Sequence, residues 1–331
     1  MNYSNNKKLK MVTLLTTKRC NFSCSFCISN SNAASFIPEK PNLPAIHNFI
    51  DGCSKNGVEK INISGGEPLF SPQLTFDIID HLDRLNIPFN LNTNISLMTN
   101  AYAERLSRCN NVPYIFTSLL SIYKNECDKI TGHDGNYDSI IKGIKMCRQH
   151  QLNVCINITV TRSSISCLHD LKQFLMELDI QRISISSVVP PANDRNNKEY
   201  VLLPEDYRLI FDTLTEIQHD LGIEVASSKP LPLCLMGGNR DCSKIETSPC
   251  TVSTNRFAVD CCSGNVLLCS LYNQSDKSFG NIYVDDLKTI WDNIAGMNID
   301  NINEKCTNCI NLKKCGGMCK WFIFPGDNNH V

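Results

Sequence analysis

Within about 180 residues six short β-type runs alternate with helix-period runs, and this alternation constrains the fold more than any other feature of the chain. The strand-like runs are Met11–Thr16, Lys60–Ser64, Pro88–Asn94, Pro113–Ser118, Asn153–Val160 and Arg182–Val189. Helical periodicity fills Pro44–Cys53, Pro72–Leu85, Ala101–Arg108, Tyr137–His150 and Ile165–Leu178, with proline opening the first two. Leu74, Ile78, Ile79 and Leu82 share one face of the second helix. Strands separated by crossover helices form a parallel sheet. Six units are too few to close an eight-fold barrel, so the expected fold is α/β, a partial (β/α)6 TIM-type barrel with an open side wide enough for a large substrate. Chemistry in such folds sits at the C-terminal ends of the strands.

Pro190-Pro191-Ala192-Asn193-Asp194 marks an exit from the barrel, and Pro204–Leu221 is expected to be a helix packed on its end. After Pro230 the alternation stops, and ten of the nineteen cysteines fall in the last 98 residues. The expected division is a barrel over 1–190, a linker and bridging helix over 191–229, and a small cysteine-rich domain over 230–331 that leans on metal for stability.

Two motifs fall at strand ends. Cys20, Cys24 and Cys27 lie within eight residues after the first strand, a spacing that lets three sulfurs face one centre. Three thiolates on a four-iron cluster leave one iron open for chemistry. Zinc, or a redox dithiol at Cys24 and Cys27, would fit the loop alone. Phe26 could cover a cluster or pack in the core. Gly65-Gly66-Glu67-Pro68 follows the second strand directly; its glycines permit close backbone approach to a ligand, and Glu67 can accept a hydrogen bond from an ammonium group.

The bulk composition excludes other classes. A formal charge of −1 gives no nucleic-acid footprint. No apolar run reaches membrane-span length, and Met1–Lys10 is not a signal peptide, so a cytoplasmic location is expected. Nineteen cysteines in a reducing compartment point to metal rather than disulfides. Cys53, Cys109, Cys127, Cys147, Cys155 and Cys167 are scattered and read as ordinary core or surface residues.

Together the two motifs resemble those of the radical S-adenosylmethionine (SAM) superfamily, including the aromatic Phe26 before the last cysteine. The resemblance implies that Cys20, Cys24 and Cys27 hold a [4Fe-4S] cluster whose open iron chelates SAM, with Gly65, Gly66 and Glu67 positioning its amino group. It also implies SAM contacts from Asn94, Ser118 and Arg162 at the ends of strands three, four and five. The C-terminal order, Cys250, then Gly264 and Cys269, then Cys306, Cys309, Cys315 and Cys319, is similar to that of the SPASM subfamily, which carries two auxiliary [4Fe-4S] clusters. Cys250, Cys269 and Cys319 would serve the first, with Cys262 or its neighbour Cys261 as fourth ligand; Cys306, Cys309 and Cys315 would serve the second. The chain departs from the subfamily pattern after Cys319, where Lys320–Val331 holds no cysteine. Cys234, Cys242, Asp327 or His330 could replace the missing ligand, or an iron could stay open.

What the resemblance implies is an oxidoreductase and peptide maturase. It would cleave SAM reductively to a 5′-deoxyadenosyl radical and crosslink, epimerise or oxidise a ribosomal peptide or protein. The rivals are a sulfatase-type formylglycine maturase or a small-molecule radical dehydrogenase, and, from other classes, an iron–sulfur electron carrier or scaffold and a zinc module. The implied partners are a flavodoxin- or ferredoxin-type one-electron donor and a separate peptide-recognition protein. No Asp or Glu identifies itself as the catalytic base.

Overall fold

The computed structural model describes residues 7–29, 41–189, 197–235, 247, 249–271, 278–295, 297, 306–317 and 319. Its centre is one sheet whose strands run in the order β7-β6-β5-β4-β3-β2-β1-β8-β9. The strands are β1 (Met11–Leu15), β2 (Lys60–Ser64), β3 (Phe89–Thr93), β4 (Tyr114–Leu119), β5 (Asn153–Val160), β6 (Arg182–Ser187), β7 (Glu224–Ser227), β8 (Arg256–Asp260) and β9 (Val266–Leu267). Every pairing is parallel except that of β8 with β9. The strand order is linear, so this is the expected open α/β barrel wall rather than a closed ring.

Helices α1 (Leu43–Lys55), α2 (Pro72–Arg84), α3 (Asn100–Ser107), α4 (Lys124–Thr131), α5 (Asn136–Gln149), α6 (Leu171–Glu177) and α7 (Pro204–Leu221) occupy the crossovers. α8 (Leu287–Ala295) and α9 (Leu312–Cys315) belong to the C-terminal segment. Pro44 and Pro72 stand at helix starts, where the missing N–H costs nothing.

The alternation on the strands separates two faces. Val12, Leu14, Ile61, Ile63, Leu91, Ile115 and Ile156 are fully buried on one face and join Ile46, Ile50, Ile78, Ile79 and Leu82 of α1 and α2 in a single core. The other face carries a run of polar side chains. There Asn90 Nδ2 donates to Asn62 Oδ1 (3.0 Å), Ser184 Oγ donates to Asn157 Oδ1 (2.7 Å), and Asn157 Nδ2 donates to Thr159 Oγ1 (3.1 Å).

Four features differ from the sequence expectations. α4 is an extra helix; its sequence is highly charged and only Cys127, Asp128 and Thr131 are buried, so it carries almost no apolar period. The run Ile165–Leu178 breaks into a 3-10 turn, Ile165–Leu168, and α6. α7 is a true crossover, leading into β7 beside β6, rather than a plug on the barrel's end. β8 comes from far along the chain yet pairs in register with β1, Leu15 opposite Asp260. Non-local pairing of this kind leaves no signature in local periodicity. The proposed exit at 190–194 lies outside the described residues.

Candidate active site

The cysteine loop continues the sheet after its strands stop. Thr16 N donates to Ser64 O (2.9 Å), Gly66 N to Thr17 O (2.6 Å) and Glu67 N to Arg19 O (2.7 Å). Gly65 and Gly66 allow this closeness. A Cβ at Gly65 would lie 2.5 Å from Thr17 O, and one at Gly66 would lie 2.2 Å from Arg19 O. Gly65 also holds φ +147°, a conformation suited to glycine. In this structure the close approach that the glycines permit is to the cysteine loop's own backbone.

α4, invisible to periodicity, holds the other end of the loop. Its terminal carbonyls lack helical partners, and Ser23 N donates to Thr131 O (2.9 Å) while Ser25 N donates to Ile130 O (3.2 Å). Phe22, 5% exposed, anchors the loop in the core. Cys27 N donates to Cys24 O (3.0 Å), closing a turn that carries the last two thiols. Phe26 packs edge-on against Tyr200 (6.3 Å between centroids), whose hydroxyl donates to Ser25 O (3.2 Å).

Glu67 is fully buried. Its Oε1 accepts from Leu69 N (2.9 Å) and Thr93 Oγ1 (2.6 Å), and its Oε2 accepts from Asn94 N (2.6 Å). Burial pushes its carboxyl up to about 7, against the pull of these three donors. Glu67 therefore ties the end of β2 to the end of β3. Asn94 carries the link onward: Nδ2 donates to Asn21 Oδ1 (2.9 Å) and lies 3.7 Å from Cys20 Sγ. Its Oδ1 accepts from Ser96 N (3.0 Å) and Ser96 Oγ (2.7 Å), an Asx turn, and Asn21 Nδ2 donates back to Ser96 Oγ (2.9 Å). Ser118 is exposed on β4, and Arg162 is exposed just after β5 with its N donating to Glu199 O (3.0 Å). Periodicity missed Asn21, Thr93, Ser96 and Tyr200; the Asn-x-Ser turn after the third strand was the one local signal for Ser96.

The three thiols act on one another electrostatically. Burial pushes Cys24 up to about 12, and the neighbouring Cys27, Cys20 and Cys127 add to the shift. Burial likewise raises Cys20, with Glu67 and Cys27 contributing. Thiols raised in this way, as Cys20 and Cys24 are, lose their protons readily only when a cation is supplied, which is what thiolate ligation of iron provides. The donor set thus fits an iron–sulfur cluster. Among the described residues no three His, Cys, Asp or Glu side chains converge on a single metal ion; a cluster, which holds each thiolate on a different iron, does not require that they do.

The C-terminal cysteines fall in several places. Cys261 is fully buried at the end of β8, while Cys262 Sγ contacts Thr16 O (3.6 Å) beside the end of β1. Asp260, 3% exposed, ties this corner to the cysteine loop: its Oδ2 pairs with Lys18 Nζ (2.9 Å) and accepts from Ser263 Oγ (2.8 Å), and its Oδ1 accepts from Cys262 N (2.9 Å). Gly264, at φ +77°, turns the β8–β9 hairpin. Cys269 and Cys319 share a neighbour in Lys229, whose Nζ donates to Ser187 O (3.0 Å) and whose ammonium is pulled down by burial. Gly316 packs on Pro249 and Cys250, since a Cβ there would sit 2.6 Å from Pro249 Cβ. Cys306, Cys309 and Cys315 form one unit through Cys309 N donating to Cys306 O (3.1 Å), Leu312 N to Cys309 O (3.0 Å) and Cys315 N to Asn311 O (2.9 Å). Cys242, Asp327 and His330 lie outside the described residues.

Residues 14–175 match the model of the Radical SAM superfamily. By this match, which runs from β1 into α6, the barrel is similar to the Radical SAM superfamily. Members use SAM and a [4Fe-4S] cluster, and the chain has the thiols to hold one. The chain is similar in fold to SuiB from Streptococcus suis bound to S-adenosylmethionine (TM-score 0.75, 19% identity, 97% of this chain and 77% of that one). It is equally similar to anSMEcpe bound to AdoMet and the Cp18Cys peptide (TM-score 0.74, 18% identity, 94% and 89%). Among curated relatives, an AdoMet-dependent heme synthase of Methanosarcina barkeri is 24% identical over 93% of this chain and 90% of its own length. The PqqA peptide cyclase of Bradyrhizobium diazoefficiens is 24% identical over 54% of this chain and 46% of its own length. No helix among the described residues is long and apolar enough to cross a membrane.

Proposed function

We propose that this radical SAM enzyme modifies a carbon of a ribosomal peptide or protein, and that its C-terminal cysteines form SPASM-type auxiliary clusters. The observation that carries the peptide reading is the inner face of the sheet. Its Asn62, Asn90 and Asn157 amides are only partly buried and can pair with the polar main chain of an extended substrate. The similarity to SuiB bound to its precursor peptide SuiA over 95% of this chain supports it.

Cys20, Cys24 and Cys27 would hold the radical-generating cluster, with SAM reached by Gly65, Gly66, Glu67, Asn94, Ser118 and Arg162 and Phe26 flanking the loop. When bound, the cluster and SAM supply one-electron cleavage of the sulfonium and a 5′-deoxyadenosyl radical. The chain's own part is positional. Glu67 and Asn94 lock the strand-three end to the cysteine loop, and α4 and Tyr200 keep the loop from opening. A ferredoxin- or flavodoxin-type donor would supply the electron, in the cytoplasm.

The test is direct. Anaerobically prepared protein should hold about twelve irons with matching sulfide if three four-iron clusters are present. Replacing Cys20, Cys24 and Cys27 by alanine should abolish SAM cleavage; cleavage that persists sinks the assignment. Mass spectrometry of a co-expressed candidate peptide should show hydrogen loss or deuterium incorporation. The whole-length match to the heme synthase favours a second reading, a tetrapyrrole side chain as substrate. Turnover of an iron-porphyrin precursor, with peptides left unmodified, would select it.

A further inference from the structure

The side chain of Asn94 has its hydrogen-bonding capacity fully committed. A primary amide offers one oxygen with two lone pairs and two N–H donors. The oxygen accepts from Ser96 N (3.0 Å) and Ser96 Oγ (2.7 Å). One donor goes to Asn21 Oδ1 (2.9 Å) and the other to Cys20 Sγ (3.7 Å). Cys20 Sγ also accepts from Phe22 N (3.4 Å). Among the described residues Cys20 is the one loop thiol that a side-chain amide reaches. The amide's share in the site therefore lies with the sulfur, and any contact of Asn94 with SAM falls to its main chain.

The turn that places this amide is strained. Ile95, the next residue, is fully buried and holds φ +63°, a region that β-branched side chains rarely enter. Its neighbours hold it there. Ile95 N donates to Thr93 Oγ1 (2.9 Å), and Met98 N donates to Ile95 O (3.0 Å). A Cβ at Gly143 of α5 would lie 2.3 Å from Ile95 O, so the helix backs the turn closely. On the other side Asn94 N is fixed by the buried Glu67 Oε2 (2.6 Å). Strain of this kind persists only where the surroundings over-determine it, and it collects at functional positions.

We propose that Asn94 sets the reduction potential of the radical-generating cluster through its hydrogen bond to Cys20 Sγ; the assignment rests on the radical SAM reading above. Reduction adds negative charge, and hydrogen bonds to the sulfurs are one of the determinants of cluster potential. An N–H dipole aimed at the thiolate stabilises that added charge, so the bond raises the potential and eases uptake of an electron from the external donor. Asn94 is thus a positioning and tuning residue that acts through Cys20.

The experiment uses the full chain, loaded with iron and sulfide under anaerobic conditions and reduced at controlled potentials while electron paramagnetic resonance is recorded. The radical-generating cluster is the one whose signal changes when SAM is added. No such signal in the unmutated chain would sink the radical SAM reading, and the Asn94 assignment with it. Where the signal is present, Asn94→Ala should lower the reduction constant of that cluster by about tenfold, which is about 59 mV for one electron, and leave the other signals in place. Asn94→Asp keeps the acceptor for Ser96 but replaces the donor by a charged oxygen, and should lower the potential at least as far. A potential that Asn94→Ala leaves where it was overturns the proposal. A second measurement needs no variant: with the asparagine side-chain nitrogens isotopically labelled, pulsed resonance of the reduced cluster should show coupling to an amide nitrogen. Absence of that coupling also overturns the proposal.

Discussion

The barrel wall and the C-terminal cysteine segment are built from different forces. In the wall, one fully buried aliphatic side chain follows another across the sheet, from Val12 through Ile61 to Leu91 and Ile115. In the C-terminal segment the described secondary structure is short: β9 spans two residues and α9 four. After β9 its described apolar anchors are Ile282 and Leu287, Ile290 and Ile294 of α8, and two further buried side chains are the thiols Cys306 and Cys315. A wall that removes this much apolar surface from water holds without help. A segment that does not is where bound metal would add most to stability.

Iron chelation should break this contrast most visibly. The segment after β9 should gain at least about tenfold in hydrogen-exchange rate or proteolytic cleavage, while the amides of β1 to β6 and β8 keep their protection, measured by mass spectrometry. Equal loosening of both regions would mean that the wall also depends on the clusters. Ile63→Ala tests the wall from the other side. Ile63 is fully buried, so the cost should be about 2–5 kcal/mol by denaturant unfolding, the same with and without iron.

Glu67 sharpens the junction between the two chemistries. Its carboxyl is raised from the ordinary 4.5 to about 7, so the folded state holds the proton more tightly than the unfolded chain does. The resulting stability is present below pH 4.5 and is lost as pH rises to about 7. Wild type minus Glu67→Gln should therefore fall by about 3 kcal/mol across that window, read from chemical denaturation at each pH. A difference flat with pH would show that the three donors fully offset burial. Asp260→Asn should cost about 1–3 kcal/mol, because a buried group loses charge-assisted bonds to Lys18, Ser263 and Cys262 N. The smallest effect should come from Lys288→Ala, which removes an exposed helical pair with Asp292 (2.5 Å) and should change stability by less than about 0.5 kcal/mol.

Much of the barrel was legible in the sequence because its signals are local. Lys60–Ser64, Asn153–Val160 and Pro204–Leu221 have the expected bounds, and the other strands shift by one or two residues. Alternation and helical period decide these elements before any tertiary contact forms. α4 escaped because charged residues dominate it, and its worth lies in two terminal carbonyls that hold the cysteine loop. The glycines were legible as a close approach, but their neighbour was not: a sequence shows that Gly65 and Gly66 lack side chains, not which backbone comes within 2.2–2.5 Å.

By itself, then, the sequence determined the alternation, the three-thiol loop after β1, the glycine motif after β2 and the cysteine-rich end. Spacing along the chain is enough for each. Only the tertiary structure decided that β8 joins the sheet beside β1, and that Glu67 and Asn94 bind the strand ends to the cysteine loop. These are contacts between residues tens to hundreds of positions apart. They exist because burying the aliphatic face fixes where the chain's distant segments lie, and no local pattern records that outcome.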